Sequence, residues 1–331
     1  MVLSYMETRS TDPAYNLAFE EVVLRSRTEG SYLLLWQNDN TIVVGQNQNT
    51  EAEINREYVE RRHVRVVRRS TGGGAVYHDL GNLNYSFITD AKNAEAISLE
   101  QFTRPIAAAL RSLGLDAGIS GRNDILVAGR KVSGTAQRLL HGRLLHHGTL
   151  LFDADIRAMA EALRVDPLKF QGRSAKSVPT RVGNIRDFLK EDLTLSAFWA
   201  YLKGALSQGP LQERRLSEAE QREVLLLKAS KYDTWAWNFG ASPPYTLENR
   251  RRWDGGILET RLGVAGGQIS SIAFQGDFMS LCPLDPVTQA LTGCRFARES
   301  VAEVLHGLSL DAYFGGICER QILDTIFYAT P

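Results

Sequence analysis

Three consecutive glycines, Gly72, Gly73 and Gly74, interrupt the segment RRSTGGGAVYHDLGN (68–82). The stretch before them, HVRVVRR (63–69), alternates as a strand does, and AVYH after them returns to a strand-like pattern. Three residues without a β-carbon allow the backbone to take positive φ and to lie directly against a ligand. Successive amide N–H groups can then converge on an anion. Arg68 or Arg69, at the end of the first strand, offers a planar fork of donors suited to phosphate or carboxylate. A plain hairpin turn would also use such glycines; the flanking arginines and the return to a strand favour a binding loop.

The same order excludes the two common nucleotide folds. A Walker loop needs Gly-x-x-x-x-Gly-Lys-Ser/Thr, and no such string occurs. A Rossmann fingerprint opens a helix after its glycines, whereas this chain resumes a strand. Helices are expected over 13–27, where Asp12 caps and Pro13 enters the first turn, and over 99–113, 155–164, 193–206 and 217–231. Strands are expected at SYLLLWQ and TIVVGQNQN, joined by the turn NDN, at HVRVVRR and at NLNYSFI. Strand pairs with glycine turns are expected in DILVAGRKVSGTAQR and HHGTLLFDA. Strands cluster early and helices do not strictly alternate with them, so the class is α+β, mixed sheets flanked by helices.

At 331 residues the chain is long for one core, which predicts two domains. The texture changes over KYDTWAWNFGASPPYT (231–246), placing a boundary near 244, with domains 1–244 and 245–331. The smaller domain shows a Gly-Gly hairpin in GGILETRLGVAGGQISSIAFQGDF and helices near 297–306 and 319–328, a small α/β unit. Trp235, Trp237 and Phe239 read as packing. A formal net charge of zero argues against a dedicated nucleic-acid binder. No apolar run long enough to span a bilayer is present, and the N-terminus lacks a signal-peptide pattern. Cys282, Cys294 and Cys318 are too few and too scattered for a disulfide framework, which predicts a cytoplasmic protein.

Three further segments carry chemistry. In GRKVSGTAQR (129–138), Lys131 sits among glycines and small residues on a strand, either as a solvated side chain or as an ammonium aimed at an anion. In HHGTLLFD (146–153), two histidines lack a carboxylate or cysteine at metal-ligand spacing. SGRND (120–124) offers Asn123 and Asp124, the latter a candidate for holding Mg²⁺ against phosphate oxygens.

Taken together, RRSTGGGAVYHDLGNLNYSF, GRKVSGTAQR, HHGTLLFD, SGRNDILV and YDTWAWNFGASPPY resemble, in order and over nearly the whole chain, the lipoate–protein ligases of the biotin/lipoate ligase fold. The resemblance implies a catalytic domain followed by an accessory domain. It implies activation of lipoate by MgATP to lipoyl-AMP, then transfer to a lysine of apo lipoyl domains of 2-oxoacid dehydrogenase complexes or of the glycine-cleavage H protein. It further implies that Arg69, Gly74, Ala75, Val76, Tyr77 and Lys131 contact the nucleotide. Arg69, Thr71, Gly72, Gly73, His78, Lys131, Arg138 and His147 would contact lipoate, and Lys131 would be the catalytic cation. Each buried methylene of the acyl chain supplies about 0.8 kcal/mol of affinity with little selectivity, so octanoate is expected as a second substrate. The alternatives are a lipoyl or octanoyl transferase and a non-catalytic carrier-binding paralogue. A thioester route needs a cysteine beside a base in the pocket, and all three cysteines lie in the last fifth of the chain.

Overall fold

A computed structural model describes residues 3–91, 100–120, 124–164, 181–207, 211–276, 278, 280, 282 and 284–328. The chain forms two compact units, Met1–Gln46 with Arg62–Thr234, and Asn47–Arg61 with Trp235–Pro331. A single cut near 244 therefore does not separate them, because residues 47–61 group with the C-terminal part. Thr50 Oγ1 donates to the Asn238 carbonyl at 2.6 Å, and the Arg56 guanidinium lies over the rings of Phe239 and Phe327 at 5.7 and 5.2 Å.

The strands of the first unit are β1 (Leu3–Glu7), β2 (Ser31–Trp36), β3 (Thr41–Val44), β4 (Arg65–Arg68), β5 (Val76–His78), β6 (Asn82–Asp90), β7 (Ala117–Ser120), β8 (Asp124–Val127), β9 (Arg130–Leu140), β10 (Arg143–Leu151) and β11 (Gln212–Glu213). Eight of them form one mixed sheet in the order β11-β1-β2-β6-β10-β9-β8-β7, and three form a small sheet in the order β4-β3-β5. The strands on either side of NDN do not pair with each other. β2 lies between β1 and β6, while β3 runs parallel to β4 and antiparallel to β5. The second also ends at Val44 instead of running to Asn49. At Gly45 the chain is turned against the glycine segment, where Gln46 N–H donates to the Thr71 carbonyl at 2.8 Å.

The first helix, Pro13–Ser26, starts where expected, with the Asp12 carboxylate accepting from Ala14 N–H at 3.0 Å. It is buried from Pro13 to Leu24 except at Tyr15, polar Asn16, Glu20 and Glu21 included. On the opposite face of the large sheet, Ile106 and Leu110 from the helix Glu100–Ser112 and Phe198 and Leu202 from Leu195–Leu206 pack on Leu33, Leu83 and Tyr85. The expected helix 217–231 is α-helical over Glu218–Leu227 and then widens to a π-turn, Lys228–Tyr232.

In the second unit, β12 (Tyr245–Trp253), β13 (Gly256–Ala265) and β14 (Gln268–Gly276) make an antiparallel meander. The β13–β14 hairpin turns at Gly266 and Gly267, both at positive φ (+55° and +73°), as the Gly-Gly turn requires. Helices Arg298–His306 and Glu319–Phe327 bury Val301, Leu305, Ile322 and Ile326 against Leu258, Leu262 and Phe274. Trp235 stacks on Phe239 and lies 4.1 Å below the Arg295 guanidinium, the packing role read from the sequence.

Candidate active site

A cavity of about 150 Å³ in the first unit brings the glycine segment together with β9 and β10. Arg69, Gly73, Gly74, Ala75, Val76 and His78 form one wall, and Lys131, Gly134, Ala136, His147 and Thr149 form another. Leu17, Trp36 and Val43 supply an apolar floor. Of the three glycines only Gly73 takes a left-handed φ, +92°, and a β-carbon there would lie 2.9 Å from Arg69 Nη2. Gly72 and Gly74 face open space, so the bare backbone at Gly74 leaves room for a ligand rather than for a protein neighbour.

Arg69 holds this loop together. Its Nη2 donates to the carbonyls of Gly72 at 2.7 Å and Gly74 at 2.9 Å, its Nη1 to Val43 O at 3.1 Å, and its Nε to Thr71 Oγ1 at 2.9 Å. Burial lowers its pKa to about 10, which leaves it charged at neutral pH. Arg68 is fully buried and donates to the carbonyls of Gly45 and Gln46, outside the cavity lining.

The ammonium of Lys131 stands 2.7 Å from Asp124 Oδ1. A register shift between Ile125 and Leu126 pairs Asp124 with Gly134 but Leu126 with Lys131. The extra residue on β9 thereby turns Lys131 to the same face as Asp124 and Gly134. A β-carbon on Gly134 would meet Lys131 Nζ at 3.0 Å, so that glycine makes room for the lysine. Both charged groups are partly exposed, with side chains 39% and 31% accessible. Such a pair is weak and exchanges readily for a ligand. Among the described residues no group of three or more His, Cys, Asp or Glu could hold a metal ion. Asp124 alone suits an ion that arrives on nucleotide phosphates, which needs only one or two carboxylates from the protein.

His146 and His147 alternate across β10, and their environments differ. His147 Nε2 lies 2.8 Å from Thr71 Oγ1 and its Nδ1 3.0 Å from Glu20 Oε1, all three residues being buried. Ser86 Oγ donates to the same Glu20 oxygen at 2.5 Å, and Trp36 Nε1 donates to Ser86 Oγ at 2.9 Å. With the His147 proton on Nδ1, the donors run in one direction: Arg69 Nε–H to Thr71, Thr71 O–H to His147, and His147 N–H to Glu20. His146 faces the other side, stacked on Phe102 at 4.8 Å with its Nδ1 3.0 Å from Gln137 Nε2.

His78, in the cavity wall, is fixed by a relay of amides. Asn16 Nδ2 donates to Asn38 Oδ1 at 2.9 Å, so Asn38 Nδ2 donates to His78 Nδ1 at 3.1 Å, and the imidazole proton sits on Nε2. Burial, then the charge of Arg69, lowers its pKa to about 3, so it is neutral at physiological pH.

Most residues singled out by sequence converge here: Arg69, Gly73, Gly74, Ala75, Val76, His78, Lys131 and His147 line the cavity, and Thr71 supports it through His147. Four others stand apart, among them Asp124, which meets the lining through Lys131. Tyr77 donates its hydroxyl to Asn40 Oδ1 at 3.0 Å, and Gly72 is not in the lining. Arg138 is also outside it, 3.9 Å from Glu21. Asn123 lies outside the described residues. Sequence reasoning missed Glu20, Asn84 and Trp36. Glu20 gave no local sign, because its burial and pairing come from His147 and Ser86 on β10 and β6.

A model of the lipoyl protein ligase A/B catalytic domain matches residues 12–207, and one of the bacterial lipoate protein ligase C-terminus matches residues 242–326. The chain is similar to a lipoate-protein ligase of Bacillus subtilis, with 40% identity over 321 residues, 96% of this chain and 97% of the relative. Among solved structures, a bi-partite lipoate protein ligase from Thermoplasma acidophilum, described with its E2 lipoyl domain, is similar with a TM-score of 0.63 and 30% identity. It covers 72% of this chain and 96% of that one. A lipoate-protein ligase A bound with ATP is similar with a TM-score of 0.62 and 26% identity, covering 72% of this chain and 98% of that one.

Proposed function

The chain belongs to the lipoate–protein ligase family, and from that premise we propose that it activates lipoate with ATP and passes the lipoyl group to a lysine of a carrier protein. One observation carries the reading. Lys131, paired with Asp124 outside the lining, the glycine turn held by Arg69 and an apolar floor of Leu17, Trp36 and Val43 surround a single cavity among the described residues. An acyl chain would rest on the floor with its carboxylate near Lys131, and the nucleotide would lie along Gly74 to Tyr77.

In the first step a lipoate oxygen attacks the α-phosphorus of ATP and pyrophosphate leaves, joining two anionic partners. Lys131 would leave Asp124 to bridge the carboxyl and phosphate oxygens, lowering the charge that builds up in the transition state. Arg69 would act by fixing the loop along which the nucleotide lies, through the carbonyls of Gly72 and Gly74. Asp124 would hold Mg²⁺, which neutralises phosphate charge when bound. In the second step the carrier's lysine amine attacks the acyl carbon and AMP leaves. Closure of the glycine backbone over the mixed anhydride excludes water and limits its hydrolysis.

Lipoyl domains of 2-oxoacid dehydrogenase complexes and the glycine-cleavage H protein are the proposed carriers; the Thermoplasma enzyme's pairing with an E2 lipoyl domain supports the first. No described helix is long and apolar enough to cross a membrane. The three cysteines are free, which suits the reducing cytoplasm we assign to it. None of them lines the cavity, so nothing there supports a thioester transferase. The test is incubation of the protein with ATP, Mg²⁺ and lipoate, with apo lipoyl domain or apo H protein, followed by intact-mass measurement of the carrier. A lipoyl mass gain that requires ATP is expected, and unmodified carriers under all conditions would end the proposal.

A further inference from the structure

This inference rests on the reading of the cavity as a lipoate site. Trp36 on β2 pairs with Asn84 on β6, Asn84 pairs with Thr149 on β10, and Thr149 Oγ1 lies 3.4 Å from Gly134 N–H on β9. Gly134 in turn pairs with Asp124 and adjoins Lys131 Nζ. These residues form one row across the sheet, with the charged pair at one end and Trp36 at the other. Adjacent strands lie about 4.8 Å apart, so Asn84 is about 10 Å along the row from Gly134, roughly the reach of an extended octanoate-length acid.

Asn84 is 1% exposed and lines the cavity. Its Oδ1 accepts from Asn82 Nδ2 at 3.0 Å, while its Nδ2 has no hydrogen-bond partner. His78 Nε2, whose proton the Asn38 contact fixes in place, also has no partner. The His78 ring lies 6.4 Å from that of Trp36, at the same end of the row. The remaining wall there, Leu17, Trp36 and Val43, is apolar. A buried donor without an acceptor is costly, and a ligand that supplies the acceptor recovers that cost.

We propose that Asn84, assisted by His78, makes the far end of the pocket selective for an acyl chain carrying hydrogen-bond acceptors there, so that lipoate is preferred over octanoate. The two dithiolane sulfurs are weak acceptors that sit where octanoate has only carbon and hydrogen. Octanoate would displace any water from both N–H groups and return nothing.

The test compares kcat/KM for lipoate and octanoate, read by pyrophosphate release, in the wild type and in Asn84→Leu. The lipoate-to-octanoate ratio is expected to fall roughly three- to tenfold in the variant, the worth of one ordinary hydrogen bond; an unchanged or increased ratio overturns the proposal. A second arm needs no variant. Binding of lipoate and of 5-cyclopentylpentanoate, the same ring with carbon in place of both sulfurs, is measured on the wild-type protein by calorimetry. Tighter lipoate binding is expected, and equal binding overturns the proposal. If the wild type binds lipoate but releases no pyrophosphate, the ligase reading fails while the binding ratio still decides selectivity. If it binds neither acid, both readings fall.

Discussion

Gly45 approaches Gly73 so closely that a β-carbon on the first would lie 2.1 Å from the carbonyl oxygen of the second. The binding loop is thus seated on the end of β3 with no space between. Gly45→Ala is expected to cost about 1–3 kcal/mol in urea unfolding, as overpacked sites do. Gly74→Ala meets nothing and keeps a φ open to alanine, so its stability should stay within about 0.5 kcal/mol of wild type. Adenylate formation should nevertheless fall in Gly74→Ala, because the methyl occupies the ligand's space. Wild-type stability in Gly45→Ala would contradict the packing account.

Lys131→Ala should separate catalysis from folding. Removing one electrostatic donor at a reacting centre costs roughly 100-fold or more in rate, whereas losing a partly exposed ion pair costs about 0–1 kcal/mol of stability. Pyrophosphate release and thermal unfolding measured side by side check both halves. Near-normal release from the variant would remove Lys131 from the mechanism.

Glu21, on the first helix, is 1% exposed and is bound by Lys231 Nζ at 2.7 Å and by the Tyr232 hydroxyl. Burial alone would raise its pKa, but these two hydrogen bonds together with the charges of Lys231 and Arg25 outweigh it and hold the carboxyl below its ordinary 4.5. Its stabilisation is therefore complete above pH 4.5 and is lost as pH falls below that value toward the folded-state pKa. Glu21→Gln should destabilise the fold by about 3–5 kcal/mol at pH 7, because it removes the buried carboxylate from its ion pair with Lys231, and should show less further loss on acidification. Denaturant titrations at pH 7 and pH 4 test both statements.

His146 adds a separate dependence at higher pH. Burial lowers its pKa to about 3 from 6.5. The unfolded chain takes up its proton below pH 6.5 and the folded chain does not, so stability falls with acidification by about 1.4 kcal/mol per pH unit for this group. His146→Gln should flatten the slope between pH 6 and pH 5. A slope equal to wild type would mean that His146 protonates in the folded state.

The strand–glycine–strand order of residues 63–78, the cap at Asp12 and the Gly266–Gly267 hairpin were legible because each is a local backbone requirement. Lys131 and Asp124 could be named for the same reason, but not their contact, which depends on a bulge in β9. Asn84 and Glu20 read as ordinary members of a strand and a helix. Their significance comes from partners on β2, β10 and the glycine loop, tens of residues away. β1 was likewise invisible, since LSYME becomes a strand only between β2 and β11. Residues 47–61 carry no local sign that their packing partners lie near 238 and 327.

That last arrangement has a practical consequence for anyone dividing the gene. A protein shortened after residue 234 would still carry the segment around Arg56, now stripped of the aromatic rings that flank its guanidinium and of the Asn238 carbonyl that receives Thr50. The C-terminal piece expressed alone would in turn lack the Arg56 guanidinium that lies over Phe239 and Phe327. Workable halves require transplanting the 47–61 excursion along with the tail, not merely choosing a better stop codon.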